Sequence, residues 1–388
     1  MKICFVYESY PTLPPYSGFA MYVQTAARAL AARGHEVHVL VGRRGTRSDS
    51  TDGPVQLHVR PVRAIPLLGR WLWGLGESIC LAWALFVLHR KHRFDVAEFP
   101  DWEGMGLATA FLRFVPVVVR LHTATSEAVE ARGTTANAGE RFGIWAEKTS
   151  ARLATATVTH SHAHARAIEP AFGLRNVPVI PHGIMVPEAK RTPAASPPAV
   201  LCVGKMNPRK GTDTLLAAIP LVLKQVPEAE FWLAGEDRDG RYEKEFHEAF
   251  PQIAPGRVRF LQFVSDEQLA ELYQTCAVYA SASNYESFGF PFVEAMAREK
   301  PVVACAVSAM LDVIENETTG LLVPPRDPQA FAAAIVRLLR DPGLRQRFGE
   351  AGRRLVVERY SAERMARDLE DFLARFLVAA HDPATAHA

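Results

Sequence analysis

Arg191-Thr-Pro-Ala-Ala-Ser-Pro-Pro-Ala199 divides this chain. Its three prolines fix φ and remove backbone donors, and small residues fill most of the remaining positions. Such a stretch continues neither a helix nor a central strand. It reads as a linker over 191–199, and 388 residues suit two domains better than one.

On both sides of the break, short apolar runs alternate with longer amphipathic stretches, the pattern of strand-helix-strand units built on a parallel sheet. The strands expected before it are Ile3–Tyr7, Val37–Val41, Val96–Phe99, Val115–Arg120, Ala156–His160 and Val177–Ile180. After it come Ala199–Val203, Glu230–Ala234, Val258–Phe263, Val278–Ala282, Pro301–Ala304 and Gly320–Val323. Helices are expected over Met21–Arg33, with Gly34 as its stop, and over Leu72–His89 and Phe142–Ala154. Residues 1–190 and 200–361 would each form an α/β doubly wound sheet. Ligands of such sheets bind beyond the carboxyl ends of the strands, so two facing sheets would make a cleft. Residues 362–380 read as a C-terminal helix crossing back to the first domain, and 381–388 as a frayed tail.

Composition removes several classes. Hydrophobic residues make up 48% and charged residues 22%, which excludes disorder and low complexity. A net charge of +2 argues against nucleic acid as the main partner. Residues 1–190 carry 21 Lys and Arg against 15 Asp and Glu, so the front half is basic and the back half acidic. Two lobes with different partners would give that asymmetry, and so would solvated faces alone. The five cysteines form no C-x-x-C, so neither a disulfide framework nor a zinc site is suggested. The opening run Ile3–Tyr7 is too short for a signal-peptide core, and no stretch approaches about eighteen uncharged apolar residues. A cytoplasmic protein is expected. There is no G-x-x-x-x-G-K-[ST], and Gly74-Leu-Gly76 lacks a third glycine, which disfavours P-loop and nicotinamide enzymes.

The densest site signal is Asn284-Tyr-Glu286-Ser-Phe-Gly289-Phe-Pro291-Phe-Val-Glu294-Ala-Met-Ala-Arg-Glu-Lys-Pro301. Pro291 suits the first helical position, and the free N–H groups of that helix start make an anion site. Glu286 precedes the helix and Glu294 lies about one turn inside it. Spacing alone fits two carboxylates on one ligand or two ordinary surface acids.

Glu286 and Glu294, with Ser-Phe-Gly after the first and Ala-Met-Ala after the second, resemble the retaining glycosyltransferases of family four. Further segments match in order: Val203-Gly204-Lys205-Met-Asn-Pro-Arg-Lys210-Gly211, Leu233-Ala-Gly235-Glu, Thr319-Gly320-Leu-Leu-Val, Tyr16-Ser-Gly18, Arg33-Gly34-His-Glu-Val37, Phe94–Gly104 and Arg120-Leu-His122-Thr. The resemblance spans about residues 1–375 and implies the GT-B architecture, two facing Rossmann-like domains with a cleft between them. It also implies roles. Lys205 and Lys210 would neutralise the donor diphosphate, with Arg209, Gly204 and Gly235 beside them. The backbone of Phe288, Gly289 and Phe290 would hold phosphate or sugar hydroxyls. Glu286 would bind the donor sugar and Glu294 the ribose. Gly18 would let the front loop close on the phosphates, and His122 would stand near the reacting centre. Asp101, Trp102 and Glu103 would face the acceptor.

The sequence departs from that pattern at Lys205, where arginine is usual and a lysine lacks the bidentate fork. Further departures are Ser17-Gly18 for a Gly-Gly pair, Val307-Ser-Ala-Met310 for a glycine-rich turn, and His182 for asparagine.

Other constellations compete. Asp237-Arg-Asp239 mimics a metal-binding Asp-x-Asp, or is a turn of solvated acids. His160, His162 and His164 would share one face on a strand and could bind metal, or form a loop or acceptor rim. Glu36-Val-His38 lacks metalloprotease spacing and reads as a strand start. Trp71, Trp73 and Trp83 precede the basic run His89–Arg93, which suits a membrane surface on the inner face or, as favoured here, a buried helix with a basic end.

The expectation is a metal-independent retaining glycosyltransferase without a cofactor. It would move a sugar from a nucleoside diphosphate, UDP by default, to a hydroxyl on a saccharide, glycolipid or small natural product. Its rivals are a nucleotide-sugar isomerase of the same fold and a non-catalytic nucleotide-sugar-binding protein.

Overall fold

The apolar run that opens the chain, Lys2–Tyr7 (β1), lies at the centre of a seven-stranded sheet, buried from Ile3 onward. This is a computed structural model, and it describes residues 1–13, 18–62, 73–131, 133–189 and 197–381. Tyr16 and Ser17 of the front loop, Trp71, residues 191–196 of the expected linker and the tail from 382 lie outside the described residues. The other strands of this sheet are β2 (Glu36–Arg43), β3 (Ser48–Asp52), β4 (Val55–Pro61), β5 (Val96–Pro100), β6 (Val117–Leu121) and β7 (Ala156–Thr159). The order is β3-β4-β2-β1-β5-β6-β7, and every pair is parallel except β3 on β4. Because β1 pairs with β2 on one side and β5 on the other, the winding reverses there, and a ligand-binding crevice is expected at that point.

Two elements of this sheet differ from expectation. The hairpin β3–β4 was not anticipated: Ser48–Asp52 is wholly polar and almost wholly exposed, so hydrophobic patterning cannot reveal it. It pairs along β4, whose Val55, Leu57 and Val59 alternate inward with period two. Conversely, Val177–Ile180 is no strand. Only Val179 bridges to Thr159, since Pro178 has no N–H to give a ladder.

In the second sheet β8 (Ala199–Val203), β9 (Glu230–Ala234), β10 (Val258–Gln262), β11 (Val278–Ser281), β12 (Val302–Cys305) and β13 (Gly320–Val323) all run parallel in the order β10-β9-β8-β11-β12-β13. Its reversal falls between β8 and β11. The core joins Val200, Phe231, Val278 and Val303 to Ile219 and Ile335 of the covering helices Thr212–Gln225 and Pro328–Arg340.

The chain divides into two compact units, Met1–Met185 with Ser361–Ala388, and Val186–Tyr360. The helix Ala362–His381 therefore belongs to the first unit. Ala362 N donates to Ile184 O at 2.8 Å, and Arg33 Nε donates to Glu370 Oε2 at 2.6 Å. Among the described residues no helix is long and apolar enough to cross a membrane. No disulfide joins the cysteines among the described residues, and four of the five are buried.

Gly211 starts the helix Thr212–Gln225 at φ 63°, and a Cβ there would stand 1.8 Å from the Ala282 carbonyl oxygen after β11. Gly211→Ala is expected to cost more than about 2 kcal/mol, combining left-handed strain with backbone overlap. That corresponds to a fall of roughly 4–8 °C in thermal melting. Gly34→Ala, whose Cβ would meet nothing within 4 Å, should lose markedly less. Equal losses would show that the close approach is not what requires glycine at 211.

Candidate functional site

Both loops that leave the reversal point of the second sheet are fixed by main-chain contacts. Gly204, after β8, and Gly235, after β9, adopt φ 142° and 148°, and a Cβ on Gly235 would lie 2.0 Å from Gly204 O. Gly204 N donates to Ala234 O and Met206 N to Glu236 O, both at 2.9 Å. Asn207 then caps the turn Pro208–Lys210, its side chain accepting from Lys210 N at 3.0 Å. Across from it, Asn284 donates from N to Arg209 O at 2.9 Å and from Nδ2 to Pro208 O at 2.8 Å.

These ties bring Lys210 to Glu286. Lys210 Nζ lies 2.6 Å from Glu286 Oε1, and Ser283 Oγ donates to the same oxygen at 2.7 Å. Ser281 Oγ follows at 3.0 Å from Ser283 Oγ. A small cavity opens beside the pair, lined by Gly204, Lys205, Lys210, Thr212, Ala234 and Ser281. Lys205 is exposed and pairs at 2.9 Å with exposed Glu236, a contact that solvent weakens and a stronger anion can replace. Arg209 is exposed on the same turn.

The helix Phe290–Ala297 begins at Gly289, which takes φ 85° as its N-cap, with Pro291 at the second helical position rather than the first. Phe288 is buried against Phe290 and Tyr360, so only its main chain can serve a ligand. Glu294 is half-buried, and burial raises its carboxyl, with Tyr273 and Arg298 alongside. Among the described residues it takes no part in the Lys210–Glu286 network. Asp237 is not a solvated acid. Its two oxygens accept from Tyr242 N and Glu243 N at 3.2 and 3.0 Å, capping the helix Arg241–Ala249, while Asp239 is exposed. The Asp-x-Asp pair is thereby split between two unrelated surroundings.

The first unit holds a buried polar cluster at the carboxyl ends of β1, β5, β6 and β7. Tyr7 and Tyr22 donate to Glu98 Oε1 at 2.9 and 2.8 Å. Arg120, fully buried, lies 3.3 Å from that oxygen, donates to Ile180 O and sits 4.4 Å above the Tyr22 ring. His122 Nε2 is 3.2 Å from Tyr7 Oη, and since the tyrosine proton goes to Glu98, the imidazole is the donor. His160 Nε2 donates to His122 O at 2.9 Å, and the His182 ring stacks on His122 at 5.1 Å. Burial, reinforced by neighbouring charges including Arg120, holds all three histidines well below the usual range. They are neutral near pH 7. His122, expected near the reacting centre, is 2% exposed and covered by Phe19 at 4.6 Å, so a ligand reaches it only if Phe19 moves.

The expected acceptor residues need correction. Asp101 is fully buried and cannot face an acceptor: its Oδ1 accepts from His122 N at 3.1 Å, which makes it a positioning residue. Trp102 is half-buried, 6.4 Å from Phe19, and Glu103 is half-buried at φ 49°. Behind them Glu147 accepts from Glu103 N, Thr125 N and Thr125 Oγ1. The histidine triplet does not share a strand face either. His160 follows β7, Ser161 caps the helix His162–Phe172, and His164 turns inward to Thr159 and Glu127 while His162 is exposed. The helix Trp73–His92 is only half buried: Leu81, Leu85 and Leu88 face the core, but Ile79, Trp83 and Val87 are exposed. Sequence reasoning missed Tyr7, Tyr22 and His182 as partners. The available signal was Glu98 and Arg120, charges inside apolar runs that must be paired when buried.

Burial and the neighbouring Glu147 push the Asp101 carboxyl well above its usual range, and burial pushes Glu147 up to about 7. A folded-state carboxyl with a raised pKa binds more protons than the unfolded chain, so its contribution to stability falls as pH rises from about 4.5 through 7. Glu147→Gln removes that loss. The melting temperature of the variant minus that of the wild type should therefore grow between pH 5 and pH 8. A difference that stays flat would mean that Glu147 is ionised throughout.

The description "Glycosyltransferase Family 4" matches residues 16–186 and "Glycosyl transferases group 1" matches residues 188–355. A phosphatidyl-myo-inositol mannosyltransferase from Mycobacterium leprae is 30% identical over 366 residues, 89% of this chain and 91% of its own length. Among solved structures, a sucrose-phosphate synthase from Thermosynechococcus elongatus superposes with a TM-score of 0.76 at 23% identity, covering 97% of this chain and 99% of that one. Anabaena Alr3699/HepE in complex with UDP and glucose gives 0.68 at 20% identity, covering 97% and 100%.

Proposed function

The chain belongs to the family-four glycosyltransferases and has their GT-B fold, and on that premise we propose that it moves a sugar from a nucleoside diphosphate to an acceptor hydroxyl with retention of anomeric configuration. The observation that carries this reading is the Lys210–Glu286 pair at the β8/β11 reversal, with Lys205 and Arg209 on the same short loop. Three cations from one loop supply the charge that a departing diphosphate needs, and fixed positive groups are worth most where charge develops. The donor site accordingly needs no metal ion. The start of the helix Phe290–Ala297, capped by Gly289, adds the positive end of a helix dipole.

When phosphate draws Lys210 away, Glu286 is left with Ser283 as donor and an oxygen free to accept from a sugar hydroxyl. Glu294, whose carboxyl is set into the helix, is assigned to the ribose. No protein nucleophile is assigned, since on this reading the acceptor oxygen attacks directly on the face from which the phosphate departs. The bond from the anomeric carbon to the phosphate oxygen breaks and the bond to the acceptor oxygen forms on the same face. The acceptor's proton passes to the departing phosphate, giving a nucleoside diphosphate and the glycoside. UDP is the preferred donor nucleotide, because a protein of the same fold binds UDP with glucose. Acceptor handling is assigned to the first unit and its His122 cluster.

Thermal melts with UDP, GDP, ADP and TDP in excess EDTA test the reading. A ligand at a hundred times its Kd stabilises by about 2.7 kcal/mol, and UDP is expected to give the shift. Lys210→Ala should weaken UDP binding by about tenfold or more. Glu286→Gln should lower transfer by about 10²–10³-fold while leaving the UDP shift in place. A shift that needs added Mg²⁺ or Mn²⁺ would overturn the metal-free donor site. Equal loss of binding and transfer in Glu286→Gln would overturn its donor-sugar role, and nucleotide binding with neither transfer nor donor hydrolysis would make the protein a binder.

A further inference from the structure

Three histidines from separate elements of the first unit meet beside β2 and β4 of its sheet. His38 is near the amino end of β2, His58 lies in β4, and His92 ends the helix Trp73–His92. Each offers one ring nitrogen, and the three atoms all lie within 4.8 Å of one another. By register His38 pairs with Cys4, three residues before Tyr7 of the buried cluster, about 10 Å toward the opposite end of the sheet.

The outer nitrogens of two of these rings are held by carboxylates. Glu36 Oε1 stands 3.0 Å from His38 Nε2, and Asp49 Oδ1 stands 2.6 Å from His58 Nδ1. A carboxylate fixes the proton on the nitrogen it faces, so the lone pairs of His38 Nδ1 and His58 Nε2 point at each other across 2.9 Å. Two facing lone pairs repel unless a cation stands between them. The third ring is equally unresolved: His92 Nε2 is buried and has no hydrogen-bond partner.

We propose that His38, His58 and His92 bind a divalent transition-metal ion of the Zn²⁺ class, a structural clamp that joins β2, β4 and the end of the helix Trp73–His92. Metal–nitrogen bonds of about 2.0–2.1 Å in a tetrahedral site separate ligand nitrogens by about 3.3 Å. The His38–His58 gap has to open by a few tenths of an ångström and His92 has to close in. Glu36 and Asp49 are then the outer partners that orient ligand imidazoles and raise their basicity. The charged groups around the cluster balance: Lys2 pairs with Glu36 at 3.3 Å and Arg60 with Asp49 at 2.8 Å, so the ion meets no net positive field from these four. Three imidazoles select Zn²⁺, Co²⁺, Ni²⁺ or Cu²⁺ over Mg²⁺ or Ca²⁺. The proposal does not depend on the transfer reading.

The full chain, stripped with chelator and freed of it, is titrated with Zn²⁺ by calorimetry and with Co²⁺ by visible absorption. One equivalent per chain is expected, with the intense d–d bands of four-coordinate Co²⁺ and no competition from Mg²⁺. His92→Gln should weaken binding by more than about a hundredfold, and Asp49→Asn, an exposed outer partner, by about 10–100-fold. His247→Gln, exposed on the second unit, should leave the titration unchanged. Asp49→Asn carries the test even where a core histidine variant fails to fold. Binding below one equivalent, the weak spectrum of six-coordinate Co²⁺, or His92→Gln and Asp49→Asn titrating like the wild type would each overturn the site.

Discussion

The contact of Gly211 with the Ala282 carbonyl sets the geometry of everything in the second unit that handles charge. Parallel strands deliver β8 and β11 to the same edge of the sheet, but the loops that follow have no ladder to hold them in register. Here they touch through main chain, and Asn284 adds two hydrogen bonds across the gap. Lys210 and Glu286 meet at 2.6 Å because their backbones are already fixed, not because the ion pair draws them together. That order of cause fits the energetics. A half-desolvated ion pair seldom adds net stability, since the cost of removing both charges from water offsets their attraction. The pair is therefore a poor clamp and a ready switch: an incoming anion can take the lysine while the glutamate keeps Ser283.

The first unit solves a different problem. Arg120 is fully buried on β6, the strand beside the edge strand β7, which is tolerable only with compensation. Glu98 supplies the charge, Tyr22 a ring face and Ile180 a carbonyl. The three histidines then pack as polar aromatics around this ion pair, held unprotonated chiefly by burial, with the Arg120 charge acting in the same direction. Asp101 and Glu147 sit behind this cluster as carboxyls whose charge burial opposes, and Asp101 holds the main chain of His122.

What could be read from the sequence follows from burial. The six strands of the second sheet were legible within a residue or two because strands covered on both faces appear as unbroken apolar runs, as in Ala199–Val203 and Glu230–Ala234. Lys210 and Glu286 were legible because the motif around each is local. Ser48–Asp52 was not, since an edge strand facing solvent carries no apolar signature. Asp101 was expected to face the acceptor with Trp102 and Glu103. Nothing in its neighbours records that Glu147, 46 residues on, closes over it. The same holds for His38, His58 and His92, which only the register of β2 on β4 and the length of one helix bring together.

Lys205 in place of the family's usual arginine bears on how a donor would be held. An arginine fork fixes a phosphate by two parallel hydrogen bonds, whereas a lysine is a strongly hydrated point charge on a flexible stem. In this chain that lysine is 75% exposed and rests on Glu236, a neighbour that solvent also reaches. On the proposed reading, phosphate is gripped by the better-buried Lys210 and by the helix start at Gly289. Lys205 adds field rather than geometry, and exposed Arg209 on the same turn adds more. A site of that kind binds through summed charge, so salt weakens its hold on the diphosphate more than its hydrogen bonds to ribose or sugar. The substitution thus shifts the burden of orienting the donor from the phosphates to the two glutamates, whose backbones the Gly211 contact and the helix Phe290–Ala297 keep in place.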